Sequence, residues 1–108
     1  MQTRAPNVQP WPQNQPLDAV AIEDRMKAEG LSYYRWSNGP GDIYPAHNHA
    51  YHKIIYVIQG SITFGLPLTG EQITLSSGDR LDLPGGIIHN ATVGSQGVVC
   101  LEGHRVIR

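Results

Sequence analysis

Residues 41–60 read GDIYPAHNHAYHKIIYVIQG. Three of the chain's five histidines, His47, His49 and His52, fall within six positions here, and Lys53 follows them and opens an apolar run. His47 and His49 are two apart. On a strand that spacing sends both rings to one face, about 7 Å apart along the chain. Two imidazoles aimed into one cavity can share a metal ion, whereas two on an irregular loop simply face solvent. In the run that follows, KIIYVIQ, positions 53, 55 and 57 alternate with 54, 56 and 58, and both sets are apolar except for Lys53. This predicts a strand buried on both faces, one lining a barrel interior and the other meeting a helix or a second subunit.

The rest of residues 31–108 has the same character. Short β-rich runs (LSYYRWS, KIIYVIQ, SITFGL, EQITL, DRLDL, IIHNATV, VVCLEGHRVI) are separated by turn chemistry at SNGPGD, Gly60, PLTG, SSGD, PGG and GSQG. Strands at this spacing predict an all-β sandwich or barrel. Upstream the pattern changes, since all twelve glycines lie from Gly30 onward. Residues 1–16 hold four of the eight prolines and no apolar periodicity, and read as an extended or disordered arm that Trp11 could anchor. Residues 17–30 read as a helix: Ala19, Ile22 and Met26 share a face, and Gly30 suits the left-handed position past its end.

Composition excludes several classes. At 108 residues the chain is one domain at most, and its net charge of -1 gives no field to draw in nucleic acid or acidic lipid. No basic patch with interleaved aromatics, no long apolar span and no apolar segment of signal type after Met1 is present, so the expectation is a soluble, cytoplasmic protein. Cys100 is the single cysteine, which excludes an intrachain disulfide, and in VVCLE it reads as a small buried hydrophobe.

Two spacings carry more weight than the histidine pair alone. From Gly41 the chain runs five residues to His47-Asn48-His49, three more to Lys53 and six to Gly60; later, Gly78, Pro84, Gly86 and His89 are spaced G-x5-P-x-G-x2-H. These segments resemble the paired motifs of the cupin family, G-x5-H-x-H-x3/4-E-x6-G and G-x5-P-x-G-x2-H-x3-N. The resemblance covers about residues 31–108. It implies a small jelly-roll barrel, outside which the N-terminal helix of residues 17–30 is expected to pack, with His47, His49 and His89 meeting around one divalent metal ion and with Gly60, Gly78, Pro84 and Gly86 shaping turns. Zn or Fe(II) is the expected metal, with Ni or Mn as alternatives.

Two positions depart from the family pattern. Lys53 stands where a liganding glutamate is usual, and Val93 where the second motif often has Asn. Three neutral imidazoles without the carboxylate leave coordination positions open, and a lysine beside them adds positive charge, so the expected ligand is a small anionic or chelating molecule. Lys53 then has two readings. It is a catalytic group beside the metal, or it forms an ion pair with Asp82 or Glu102 and points away. His52 reads as a rim residue, His104 as the partner of a structural hydrogen bond, Trp36 as core or interface, and Tyr44 and Tyr51 as packing residues able to reach the cavity mouth. Asn48, Asn90, Asp42 and Asp82 are candidates to hold the second nitrogens of the liganding rings. The functional expectation is a metal-dependent enzyme of the oxygenase, isomerase or lyase type. The alternatives are a non-catalytic binding or sensor module and a metal-free cupin. Exposed strand edges, the two-sided apolar strand and the Trp-bearing arm point to a homodimer.

Overall fold

Two long strands, β4 (Tyr51–Leu66) and β7 (His89–Val106), run antiparallel to each other and form the spine of the molecule. A computed structural model describes residues 5–107 of the chain. Gly60 and the GSQG segment, expected to end strands, are instead bends inside these two. The β4–β7 register shifts between Val57 and Gln59 and again between Gly60 and Ile62. Gly60 and Gly97 have φ of 80° and 74°, and the Gly60 Cα lies so close to the Gly97 carbonyl that no Cβ fits. A bulge of this kind keeps the ladder running while turning it, so each strand serves two sheets.

On one side of the bend the first part of β4 pairs with β6 (Arg80–Leu83), and β7 pairs with β2 (Tyr33–Asn38). Beyond it, β4 pairs with β5 (Glu71–Ser76), and β7 pairs with β3 (Ile43–His47). All pairings are antiparallel, and the result is a small β jelly roll. The short β3 was not among the expected runs, because Pro45 interrupts it and IYPAH shows no apolar alternation. In the arm, β1 (Asn7–Gln9) adds to the free edge of β6. The arm's first four residues lie outside the described residues.

The two faces of β4 divide the core. Ile55, Val57, Ile62 and Phe64 point between the sheets and pack with Leu75, Leu81, Leu83, Val93, Val98 and Cys100. Ile54 and Tyr56 point outward and are covered by Ile22, Met26, Leu31 and Leu101, with Trp11 against them. The helix α1 (Ala19–Ala28) therefore fills the role offered to a helix or a second subunit. It starts two residues later than expected, because the Asp18 carboxylate accepts from the Ala21 N–H at 2.8 Å and caps the first turn. Arg80 ties the helix end to the barrel through Glu29 and Asp82.

At the helix end Gly30 N–H donates to the Lys27 carbonyl (2.9 Å) and Leu31 N–H to the Met26 carbonyl (3.0 Å), with Gly30 at φ 72°. This is the paired-bond C-terminal motif that needs a left-handed residue. A Cβ at Gly30 would meet nothing within 4 Å, so Gly30→Ala should cost only the conformational term, about 1 kcal/mol. Urea unfolding at pH 7 measures it; a loss above about 2 kcal/mol would mean that the space at Gly30 is not open.

Candidate metal centre

His47 is the last residue of β3 and His89 the first of β7, and the two are register partners. His49 is not on the same strand as His47, as the two-residue spacing predicted. It lies in the connection between β3 and β4, and its carbonyl accepts from the Gly86 N–H at 2.8 Å. The turn of the second motif thus fixes the backbone of the first. The ring centroids stand 4.7 Å apart for His47–His49, 4.4 Å for His47–His89 and 5.2 Å for His49–His89. One nitrogen from each ring lies within 4.8 Å of the other two.

The outer nitrogens are held by backbone rather than by the expected Asn48, Asn90, Asp42 or Asp82. Nδ1 of His47 lies 2.6 Å from the Pro45 carbonyl, and Nδ1 of His89 lies 2.9 Å from the Ile87 carbonyl. In both cases the acceptor is two residues earlier. Each carbonyl takes the Nδ1 proton, so that in the neutral ring Nε2 carries the lone pair. Burial, the charge of Lys53 and the neighbouring His47 and His89 push the His49 pKa down to about 4. Burial likewise lowers that of His89, against the opposing pull of the Ile87 carbonyl. These two imidazoles are therefore neutral at pH 7, the form that ligates.

This donor set fits a divalent ion. Three nitrogens around a tetrahedral zinc with bonds near 2.1 Å stand roughly 3.4 Å apart, so rotations of about 1 Å would close the rings. Lys53 Nζ is 3.2 Å from Nε2 of His49, a position that opposes a cation unless its charge is met. It is met by Glu102, whose Oε2 is 3.7 Å from Nζ. Of the two acids offered as partners for Lys53, Asp82 is taken by Arg80. The expected ion pair forms with Glu102, but it does not turn Lys53 away from the histidines.

Glu102 is the site residue that the sequence underplayed. It is 4% exposed and accepts from Tyr34 Oη (2.6 Å), Trp36 Nε1 (3.0 Å) and His104 Nε2 (2.6 Å). Burial pushes its carboxyl up, but the Tyr34 and His104 hydrogen bonds and the Lys53 charge outweigh this and hold it below its ordinary value. The signal was parity. Cys100, Glu102 and His104 alternate along β7, and a buried Cys100 places Glu102 on the inner face.

These groups line a cavity of about 310 Å³ between the sheets. Ile55, Ile62 and Phe64 form its apolar side, and Tyr34, Trp36, Tyr44 and Tyr51 line it as well. Tyr51 stacks on both His49 (4.8 Å) and His104 (4.0 Å), which braces the His49 ring. His52 lies away from the cluster and accepts from the Gly85 N–H at 2.9 Å. Cys100 is fully buried, with its thiol pushed up to about 12 by burial and by Glu102, and it is no nucleophile.

No family model and no curated protein matches the sequence. Solved structures do match the fold. An RmlC-like cupin from Shewanella frigidimarina is 20% identical with a TM-score of 0.60, over 72% of this chain and 68% of that one. KdgF from Halomonas sp. is 28% identical with a TM-score of 0.56, over 69% of each chain. The polyketide cyclase RemF from Streptomyces resistomycificus is 25% identical with a TM-score of 0.63, over 72% of this chain but 56% of the cyclase. The likeness read from the two motifs is thus supported by structure: this is a small jelly roll with the cupin fold. Among the described residues no helix is long and apolar enough to cross a membrane.

Proposed function

We propose that the protein is a metal-dependent cupin enzyme of the oxygenase, isomerase or lyase type, acting on a small anionic or chelating molecule. The observation that carries this reading is the convergence of His47, His49 and His89 on one cavity that also holds the Lys53–Glu102 pair. His47, His49 and His89 would hold Zn(II) or Fe(II), with Ni(II) or Mn(II) as alternatives; the ion supplies Lewis acidity, and Fe(II) also supplies redox chemistry. The chain's own contribution is positional. The Pro45 and Ile87 carbonyls orient two rings, Tyr51 braces the third, and Ile55, Ile62 and Phe64 give the cavity an apolar side. Lys53, held by Glu102, places an ammonium where negative charge would develop on a substrate oxygen. One solved neighbour, the cyclase above, is an enzyme by name, which supports catalysis over a non-catalytic binding module.

The test is turnover. Protein loaded separately with Zn(II) and Fe(II) is assayed on diketones, thiols and hydroxy acids, with product and oxygen uptake followed together. Turnover with oxygen uptake only under Fe(II) assigns the oxygenase type, and turnover without it assigns isomerase or lyase. Ligand binding with no product from any class would favour the non-catalytic binding module. Among the described residues the outer edge of β2 has no partner strand, and this edge, with Tyr34 half exposed on it, is the one we propose to be covered in a homodimer.

A further inference from the structure

We propose a second ligand site, on the outer face of the barrel beside the N-terminal arm, that takes a small monocarboxylate with an apolar body. Nothing in it depends on a metal ion. The site is a cavity of about 450 Å³, larger than the one between the sheets and within the range of ligand sites. Ala5 and Asn7 of the arm line it, with His52, Ile54, Pro84 and Arg105 among the barrel residues. His52 shares the parity of Ile54, which points outward. His52 and Arg105 are register partners across β4 and β7, so their side chains leave the sheet side by side.

Unused donors give this pair its chemistry. Gly85 N–H donates to His52 Nδ1 at 2.9 Å, so that nitrogen is unprotonated and the ring proton sits on Nε2. A guanidinium has five N–H groups, and the bond from Arg105 Nη2 to Glu29 Oε1 (2.8 Å) uses one of them. Among the described residues no acceptor meets the Nε2–H of His52 or the other N–H groups of the Arg105 guanidinium. Arg80, also in the wall, differs: its bonds to Asp82, Glu29 and Tyr56 exhaust its donors. A guanidinium fork beside an imidazole N–H suits a planar carboxylate, which accepts two parallel bonds from the fork and a third from the ring.

The charges of the wall set the charge of the ligand. Arg80 and Arg105 are met by Asp82 and Glu29, and Lys53, which also lines the cavity, pairs with Glu102 on the inner face of the sheet. These charges balance in number but not in place. Asp82 and both oxygens of Glu29 serve Arg80, and Arg105 only shares Glu29 Oε1 with it. The positive end is therefore at Arg105, whose side chain is 47% exposed. One negative charge balances that end, and a second would stand beside Asp82 and Glu29. The two charges of a metal ion bound inside the barrel would lie across β4; they add to the pull on any anion and do not change which end of this wall is positive. Ile54 and Pro84 offer apolar surface to the body of the ligand.

Amide NMR on the full chain tests this, with benzoate, its neutral isostere benzamide and inorganic phosphate as probes. Benzoate is expected to give saturable shifts at Asn7, Gly85 and Arg105, and benzamide to bind about tenfold more weakly, the worth of one charge-assisted hydrogen bond. Arg105→Met should weaken benzoate by about tenfold or more while the amides of the barrel interior keep their positions. His52→Asn, whose amide oxygen still offers Gly85 an acceptor, removes the Nε2–H and should weaken benzoate about threefold. Shifts that do not saturate, or that are confined to His47, His49 and His89, overturn the proposal and leave the metal site standing. Phosphate binding as tight as benzoate, or benzoate binding to Arg105→Met as tight as to wild type, overturns it as well.

Discussion

Glu102→Gln is expected to lower the unfolding free energy of the metal-free protein by about 3 kcal/mol at pH 7. The substitution keeps the shape but removes the charge that four donors converge on: Tyr34, Trp36, His104 and Lys53. The Lys53 side chain is only 12% exposed, so its ammonium would be left nearly buried without a counterion. Breaking one partner of such a pair costs about 3–5 kcal/mol, and the lower end applies because the amide oxygen still accepts. The pH dependence has a definite sign. The folded-state pKa of Glu102 lies below 4.5, so the unfolded chain binds its proton first as pH falls. The contribution is complete above pH 4.5 and is lost as pH drops through the folded value. The gap between wild type and variant in urea unfolding should therefore be constant from pH 7 to about 5 and narrow at pH 3.5. A gap below about 1 kcal/mol at pH 7 would mean that solvent screens the pair.

The second large effect is on metal affinity. His89→Ala should weaken zinc binding by well over a hundredfold, since even outer partners of a metal ligand are worth 10–100-fold. His89 is 2% exposed and is tied to Ile87, so its ring is the most fixed of the three. Zinc at a hundred times its dissociation constant should stabilise wild type by about 2.7 kcal/mol and leave the variant unmoved. Thermal unfolding with and without zinc reads this. His47→Ala, at a less buried ring, provides the same readout where a hole at His89 is too damaging. An undiminished zinc shift in both variants would place the metal elsewhere.

Much of this was legible in the residues, and what was not has physical reasons. The two-faced apolar pattern of residues 53–58 gave both core layers, because a strand's period of two assigns each side chain to a face. The histidine set was legible only through glycine and proline spacing. These residues punctuate turns, and the Gly86 N–H to His49 carbonyl bond is the contact that such spacing encodes. Local chemistry misled at Gly60 and GSQG, where left-handed glycines serve a bulge and not a chain reversal. The HxH pair was misplaced because β3 ends at His47, and proximity then comes from ring orientation and not from strand pleat. The choice between Asp82 and Glu102 depended on Arg80, which reaches Asp82 two residues along the same strand and Glu29 at the helix end. No periodicity reports that competition.

The central claim is that three imidazoles form one metal site, and metal content tests it most directly. Protein purified without chelator, dialysed against Zn(II) and then against metal-free buffer, is measured by elemental mass spectrometry beside His49→Ala. The account predicts one ion per chain in wild type and well under a tenth of that in the variant. Wild type that retains no metal, or a variant that retains as much, would contradict it.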